Sequence, residues 1–174
     1  MNRLIVYGGV FFAGLVIQFS FTQFFSIAGL SPNFLLIILI YIGLIYGPMP
    51  GQVFGFAWGL AWDIMSLDLF GSHAFLLTCA GFGSGLLSKK WNESKFSAQA
   101  VLVMVASVLF IFGKYLLYQI FSMGEHKFAV NYITALQPFY NMLITPVVFA
   151  GGRLLSVLLD KILDRERDLD FKRL

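Results

Sequence analysis

Three ionisable side chains, Asp63, Lys114 and Arg153, fall inside long apolar runs, and each restricts what the surrounding chain can be. A charge deep in a bilayer costs at least ~2.5 kcal/mol, so such a group faces protein or a wet cavity. Asp63 is expected ~18 Å along its helix from Gly51, and Lys114 ~25 Å along its own from Ser97. Both then lie in the outer half of a membrane, and a lysine stem reaches the remaining distance. Functionally the two read as an ion pair lining a cavity, or as a carboxylate left for a partner. Structurally they read as a salt bridge, or as Lys114 snorkelling toward its loop. Arg153 lies roughly 9 Å from the inner end of the last span and reads as snorkelling to the interface. Asp68 reads as a solvated loop residue.

Nothing in the chain is spaced for catalysis. His73 and His126 fall in expected external loops, without an acidic or cysteine cluster at metal spacing. There is no serine–histidine–aspartate set, no glycine loop closing on Lys-Ser or Lys-Thr, and no His-Glu-x-x-His helix. The sequence therefore implies no catalytic residue, no metal and no cofactor. Cys79 is the only cysteine. That excludes an intrachain disulfide and a cysteine zinc site, and its apolar setting reads as a small buried hydrophobe.

The elements that must position these groups are apolar helices. Of 174 residues, 59% are hydrophobic and 12% charged, half the ~25% charge of a soluble domain. Six candidate spans follow, at 4–27, 33–46, 51–67, 72–88, 97–121 and 138–159. They make one all-α polytopic membrane domain over residues 1–174, with a charged tail at 160–174. The second to fourth spans fall short of the ~20 residues of a straight crossing, which implies thinning, tilt or half-buried turns. The first is far longer than the ~7–15-residue core of a signal peptide and reads as a retained helix. Turns are expected at Pro32 and at Gly47-Pro48, with Pro50 helping to break the chain. Gln18, Thr22 and Gln23 follow one face of the first span and are candidates for interhelical hydrogen bonds. Gly9 and Ala13 share close-packing spacing on the same span.

Gly51, Gly55, Gly59 and Asp63 recur every four residues, a slowly drifting stripe of bare backbone that ends in a carboxylate. In lipid such a stripe lets another helix approach closely. It can receive a partner's single span, or pack internally on the fourth span, where Gly81 and Gly85 repeat the spacing. Both readings stand at this point. Pro146 is expected to bend the last span and free a carbonyl for Thr145 or a neighbouring helix. Trp91 and Tyr132 fall at expected interfaces.

Nine cations (Arg3, Lys89, Lys90, Lys95, Lys161, Arg165, Arg167, Lys172, Arg173) lie on the side shared by the termini, and only Lys127 on the other. This bias puts both termini in the cytoplasm. The tail's five cations and five anions cancel, so it reads as a solvated extension of the last helix. The net charge of +3 is too small to propose a nucleic-acid partner. The last external loop, 122–137, has Phe128, Tyr132, Ile133 and Leu136 at the spacing of a short interfacial helix.

The order Pro32-Asn-Phe-Leu-Leu-Ile, Tyr41, Gly47-Pro48, Gly51-x3-Gly55-Phe-x2-Gly59-x3-Asp63, Gly71 and Gly81-x3-Gly85 resembles the rod shape-determining protein MreD family over residues 32 to 87. The resemblance implies a scaffold in the bacterial inner membrane that belongs to the elongation machinery (the elongasome) and sets cell shape. It implies binding to MreC, a single-span protein with an external domain. It also implies ties to the filament protein MreB and to the peptidoglycan synthase RodA with its transpeptidase partner. MreD proteins are similar in fold to the substrate-binding S subunits of energy-coupling-factor vitamin transporters. That implies an S-component-like bundle and a competing function, the small-molecule-binding subunit of a transporter. For that function Asp63, Lys114, Trp58 and Trp62 are the available pocket groups.

Overall fold

The computed structural model describes residues 3–26, 29–66, 69–88, 96–121 and 131–171. Their regular elements are all helical. Helix α1 runs over Arg3–Val16 and continues through a π turn at Ile17–Phe21 to Thr22–Phe24. It is followed by α2 (Phe34–Tyr46), α3 (Pro48–Met65), α4 (Ser72–Leu87), α5 (Phe96–Phe121) and α6 (Tyr132–Phe171).

Helix α2 is the centre. It is apolar all round, and a helix with no polar face must be enclosed on every side. Leu35, Leu36, Ile37, Leu39 and Ile40 are each at most 1% exposed. Its 13 residues reach only ~20 Å, short of the ~30 Å bilayer core. The shortness noted in the sequence thus belongs to a helix wrapped by its neighbours. Asn33 starts it, the side-chain oxygen accepting the Leu36 N–H at 3.0 Å.

The prolines behave differently from the sequence expectation. Gly47 alone, at φ 93°, connects α2 to α3, and α3 begins at Pro48 rather than Gly51. A proline in the first helical turn loses an N–H that has no carbonyl waiting for it, so Pro48 and Pro50 start the helix instead of breaking the chain. Similarly, α6 begins at Tyr132 and holds both Pro138 and Pro146 inside it. Tyr132, Ile133 and Leu136 are its first turns, not a separate interfacial helix. This entry is pinned from outside by Gln137 Nε2 donating to the Ser31 carbonyl (3.2 Å) and Tyr140 Oη to the Phe25 carbonyl (2.6 Å). Thr145 does donate to a backbone carbonyl, but to that of Asn141 at 2.7 Å. The carbonyl left by Pro146 is that of Met142, so Thr145 does not serve the proline.

The exterior is apolar. Only 17% of the most apolar stretch of α5 (Ser97–Phe121), and 28% of that of α6 (Tyr132–Val157), is buried within the protein. Long apolar helices in a soluble core would be enclosed. Here Val101, Val105, Leu109, Phe112 and Leu116 stand exposed along one face. A continuous apolar surface of that kind needs lipid. Cys79 also lies on the exposed side of α4, correcting its reading as a buried hydrophobe, because the inward face of that helix is taken by glycines and alanine. On the other side, α1 is tied to α3 by Trp58, fully buried, whose indole N–H donates to the Phe11 carbonyl at 2.9 Å.

Candidate functional site

The glycine stripe faces inward. A side-chain carbon at Gly55 would lie 2.5 Å from the Leu77 carbonyl oxygen. At Gly51 it would meet the backbone of Gly81, at Gly59 that of Ala74, and at Gly85 that of Pro48, each under 3.0 Å. Gly43 of α2 meets Gly81 as well, so three helices touch backbone to backbone at Gly43, Gly51 and Gly81. The stripe is the α3–α4 interface, and no external helix can occupy it. Gly9 of α1, by contrast, has nothing within 4 Å.

Close contact between α3 and α4 brings Asp63 against the first turn of α4. That turn starts after Gly71, whose φ of 89° is a left-handed conformation that suits a residue without a Cβ. The first amides of a helix have no carbonyl within it. Asp63 Oδ1 accepts the His73 N–H at 3.1 Å and Oδ2 the Ala74 N–H at 2.9 Å, while His73 Nδ1 lies 2.9 Å from Oδ1. A carboxylate at a helix N-terminus also meets the positive end of the helix dipole. Asp63 is 2% exposed and His73 7%.

The His73 ring links the carboxylate to Lys114. With the Nδ1 proton on the Asp63 bond, Nε2 is left as an acceptor, and it lies 3.4 Å from Lys114 Nζ. The expected Asp63–Lys114 pair is therefore mediated by a histidine that the sequence placed in a loop. Trp62 and Phe110 flank that ring, with centroids 5.8 and 5.9 Å away.

Beside this chain of groups lies a cavity of about 340 Å³, at the end of the bundle away from the termini. Gln18, Thr22, Asn33, Trp62, Lys114 and Gln137 contribute polar atoms to its wall. Two of these side chains, Gln18 and Asn33, serve the start of α2. Gln18 Oε1 accepts the Leu35 N–H at 3.0 Å, and Asn141 Oδ1 accepts the Asn33 N–H at 2.9 Å. Asn141 also donates to Ser107 Oγ at 2.9 Å, tying α6 to α5. Two buried helix starts thus lie at one end of the molecule, each capped from other elements. Trp58 faces Phe11 instead and does not line the cavity. Pro32, fully buried, lies in its wall beside Asn33.

A family model described as rod shape-determining protein MreD matches residues 2–151. The chain belongs to the MreD family. The match reaches from the start of α1 into α6 and includes every residue of the glycine interface, the Asp63 cap and the cavity. No curated protein and no solved structure gives a match. In this MreD-family chain the spacing of Asp63, Lys114 and the glycines is visible in the sequence, whereas the hydrogen-bonding positions of His73 and Asn141 are not. Asn141 had a usable signal, an amide in the middle of an apolar helix. Arg153 is exposed on α6 near Ser156, which hydrogen-bonds Tyr41 at 3.2 Å. Asp68, Trp91, His126, Lys127 and Phe128 lie outside the described residues.

Proposed function

We propose that this MreD-family chain is a non-enzymatic inner-membrane scaffold that binds an MreC-like single-span protein. Through it, MreB filaments are coupled to RodA and its transpeptidase partner during peptidoglycan synthesis. The observation that carries the reading is the family match over residues 2–151. The exposed apolar faces of α5 and α6 support it, since a single-span partner needs a lipid-facing surface and the glycine stripe is already filled by α4. In the native cell, depletion of the chain should replace rod growth by round cells, and re-expression should restore rods. Unchanged cell shape after full depletion contradicts the reading.

The scaffold has both termini in the cytoplasm, which the nine-to-one cation bias supports. The cavity then opens toward the outer surface. In a Cys79→Ser background, Glu93→Cys and Leu169→Cys should react only with a thiol reagent supplied from the cytoplasm, and Glu125→Cys only with one supplied from outside. Outside labelling at residue 93 overturns the topology.

The competing reading, a ligand-binding subunit of the S-component kind, is favoured by one observation, the polar cavity. A solute-binding subunit would take up radiolabelled vitamin with its transporter present, whereas the scaffold leaves uptake unchanged.

A further inference from the structure

We propose that the cavity binds one neutral sugar ring, free or borne by a glycolipid, through its hydroxyl groups. The inference goes beyond the scaffold reading and uses neither the partner nor the family. At about 340 Å³ the cavity is at the low end of small-molecule sites, a size for a single ring rather than an oligosaccharide.

The hydrogen-bond inventory sets the chemistry of the ligand, because donors and acceptors are both open on the wall. Gln18 is 3% exposed, its oxygen taken by Leu35 and one of its two N–H bonds by Thr22. Its second N–H, the Trp62 indole N–H and the Asn33 NH₂ group have no protein acceptor among the described residues. Gln137 donates one N–H to the Ser31 carbonyl, and its Oε1 has no protein donor among the described residues. The Ser31 and Thr134 hydroxyls, on the same wall, have no protein partner there either.

A ligand that matches this wall accepts from Gln18, Trp62 and Asn33 and donates to Gln137, Ser31 and Thr134. A carboxylate or phosphate brings only acceptors and leaves Gln137 Oε1, which can only accept, unmatched. One amide group brings one oxygen and two N–H bonds, too few for three oxygens and three N–H groups. Each sugar hydroxyl donates and accepts at once. The match does not depend on Lys114, whose Nζ lies 3.4 Å from His73 Nε2.

The apolar part of the wall suits the carbon face of such a ring. Trp62 is held flat on Phe19, with centroids 5.3 Å apart and planes 11° apart, and Phe110 joins it in the wall. Small-molecule sites pair aromatic walls with a few fixed polar groups in this way.

The test uses the full chain in a polyoxyethylene detergent, which has no sugar headgroup. Its thermal unfolding is followed with glucose, octyl glucoside, sucrose and octyl tetraethylene glycol as probes. A ligand that binds only the folded state raises the midpoint in a saturable way, whereas an excluded osmolyte such as sucrose raises it without saturating. Glucose or octyl glucoside should saturate. Sucrose, too large for the cavity, and octyl tetraethylene glycol, a chain without a sugar, should not. If glucose saturates, the free ring is sufficient; if only octyl glucoside does, the ring arrives on a lipid. Ser31→Ala and Thr134→Val remove hydroxyls that the fold does not use, and together they should weaken binding about tenfold, about threefold for each hydrogen bond. Should that double variant fail to fold, Trp62→Phe removes the indole donor and should weaken binding about threefold or more. The proposal is overturned if both sugars behave like sucrose, which leaves the cavity to water. It is also overturned if octyl tetraethylene glycol matches octyl glucoside while glucose fails to saturate, or if every folded variant binds like the parent.

Discussion

Gly55→Leu should abolish folded protein rather than selectively remove a partner. The first atom of the new side chain would lie 2.5 Å from the Leu77 carbonyl oxygen, and the next nearest atoms are also backbone. Backbone cannot rotate aside as a side chain can, so α3 and α4 must separate along their whole contact. Overpacking a core typically costs about 1–3 kcal/mol, and a backbone clash belongs at or above the top of that range. The separation would also draw Asp63 away from the α4 amides and open the junction at Gly43, Gly51 and Gly81. Gly83→Leu is the matched control. Gly83 lies on α4 between Gly81 and Gly85, yet nothing is within 4 Å of its missing side chain. Detergent-solubilised Gly83→Leu should unfold at the parent's temperature, while Gly55→Leu should yield little monodisperse protein. Equal thermal stability of the two variants would mean that the stripe does not carry the α3–α4 contact.

Asp63→Leu should destabilise the protein by about 3 kcal/mol or more. The change leaves the His73 and Ala74 amides and the His73 ring N–H without their acceptor. Each buried donor without a partner costs about 1–3 kcal/mol. The loss of favourable charge at a helix N-terminus adds to this. Asp63→Asn keeps one acceptor oxygen but presents an N–H₂ group where the second amide needs an oxygen, so it should fall between parent and leucine. Unfolding temperatures ordered parent, asparagine, leucine support the cap. A leucine variant as stable as the parent would show that the carboxylate is not structurally required.

The periodic features of the fold were legible in the sequence. Gly51, Gly55, Gly59 and Asp63 announce a close-packed helix face ending in a polar group, and the structure uses the face in that way. What the spacing could not show was the identity of the helix on the other side, because a bare backbone stripe looks the same whether its own chain or another fills it. His73 was hidden for a related reason. It stands ten residues after Asp63 across a non-periodic turn, and only the α3–α4 contact brings the two together. The prolines misled for lack of context. Pro48 and Pro138 carry the same intrinsic restriction, yet one opens a helix and the other lies inside one held by Gln137 and Tyr140. Gln18 was recognisable as an interhelical donor or acceptor, but its actual partner, the Leu35 amide, follows from where α2 starts.

The scaffold claim is tested most directly by tagging the chain, extracting it from native membranes in mild detergent and identifying what remains bound at near-equal amount. The account predicts a single-span protein with an external domain, retained by the parent and by Gly83→Leu alike. Recovery of folded, monodisperse chain with no such protein would contradict it.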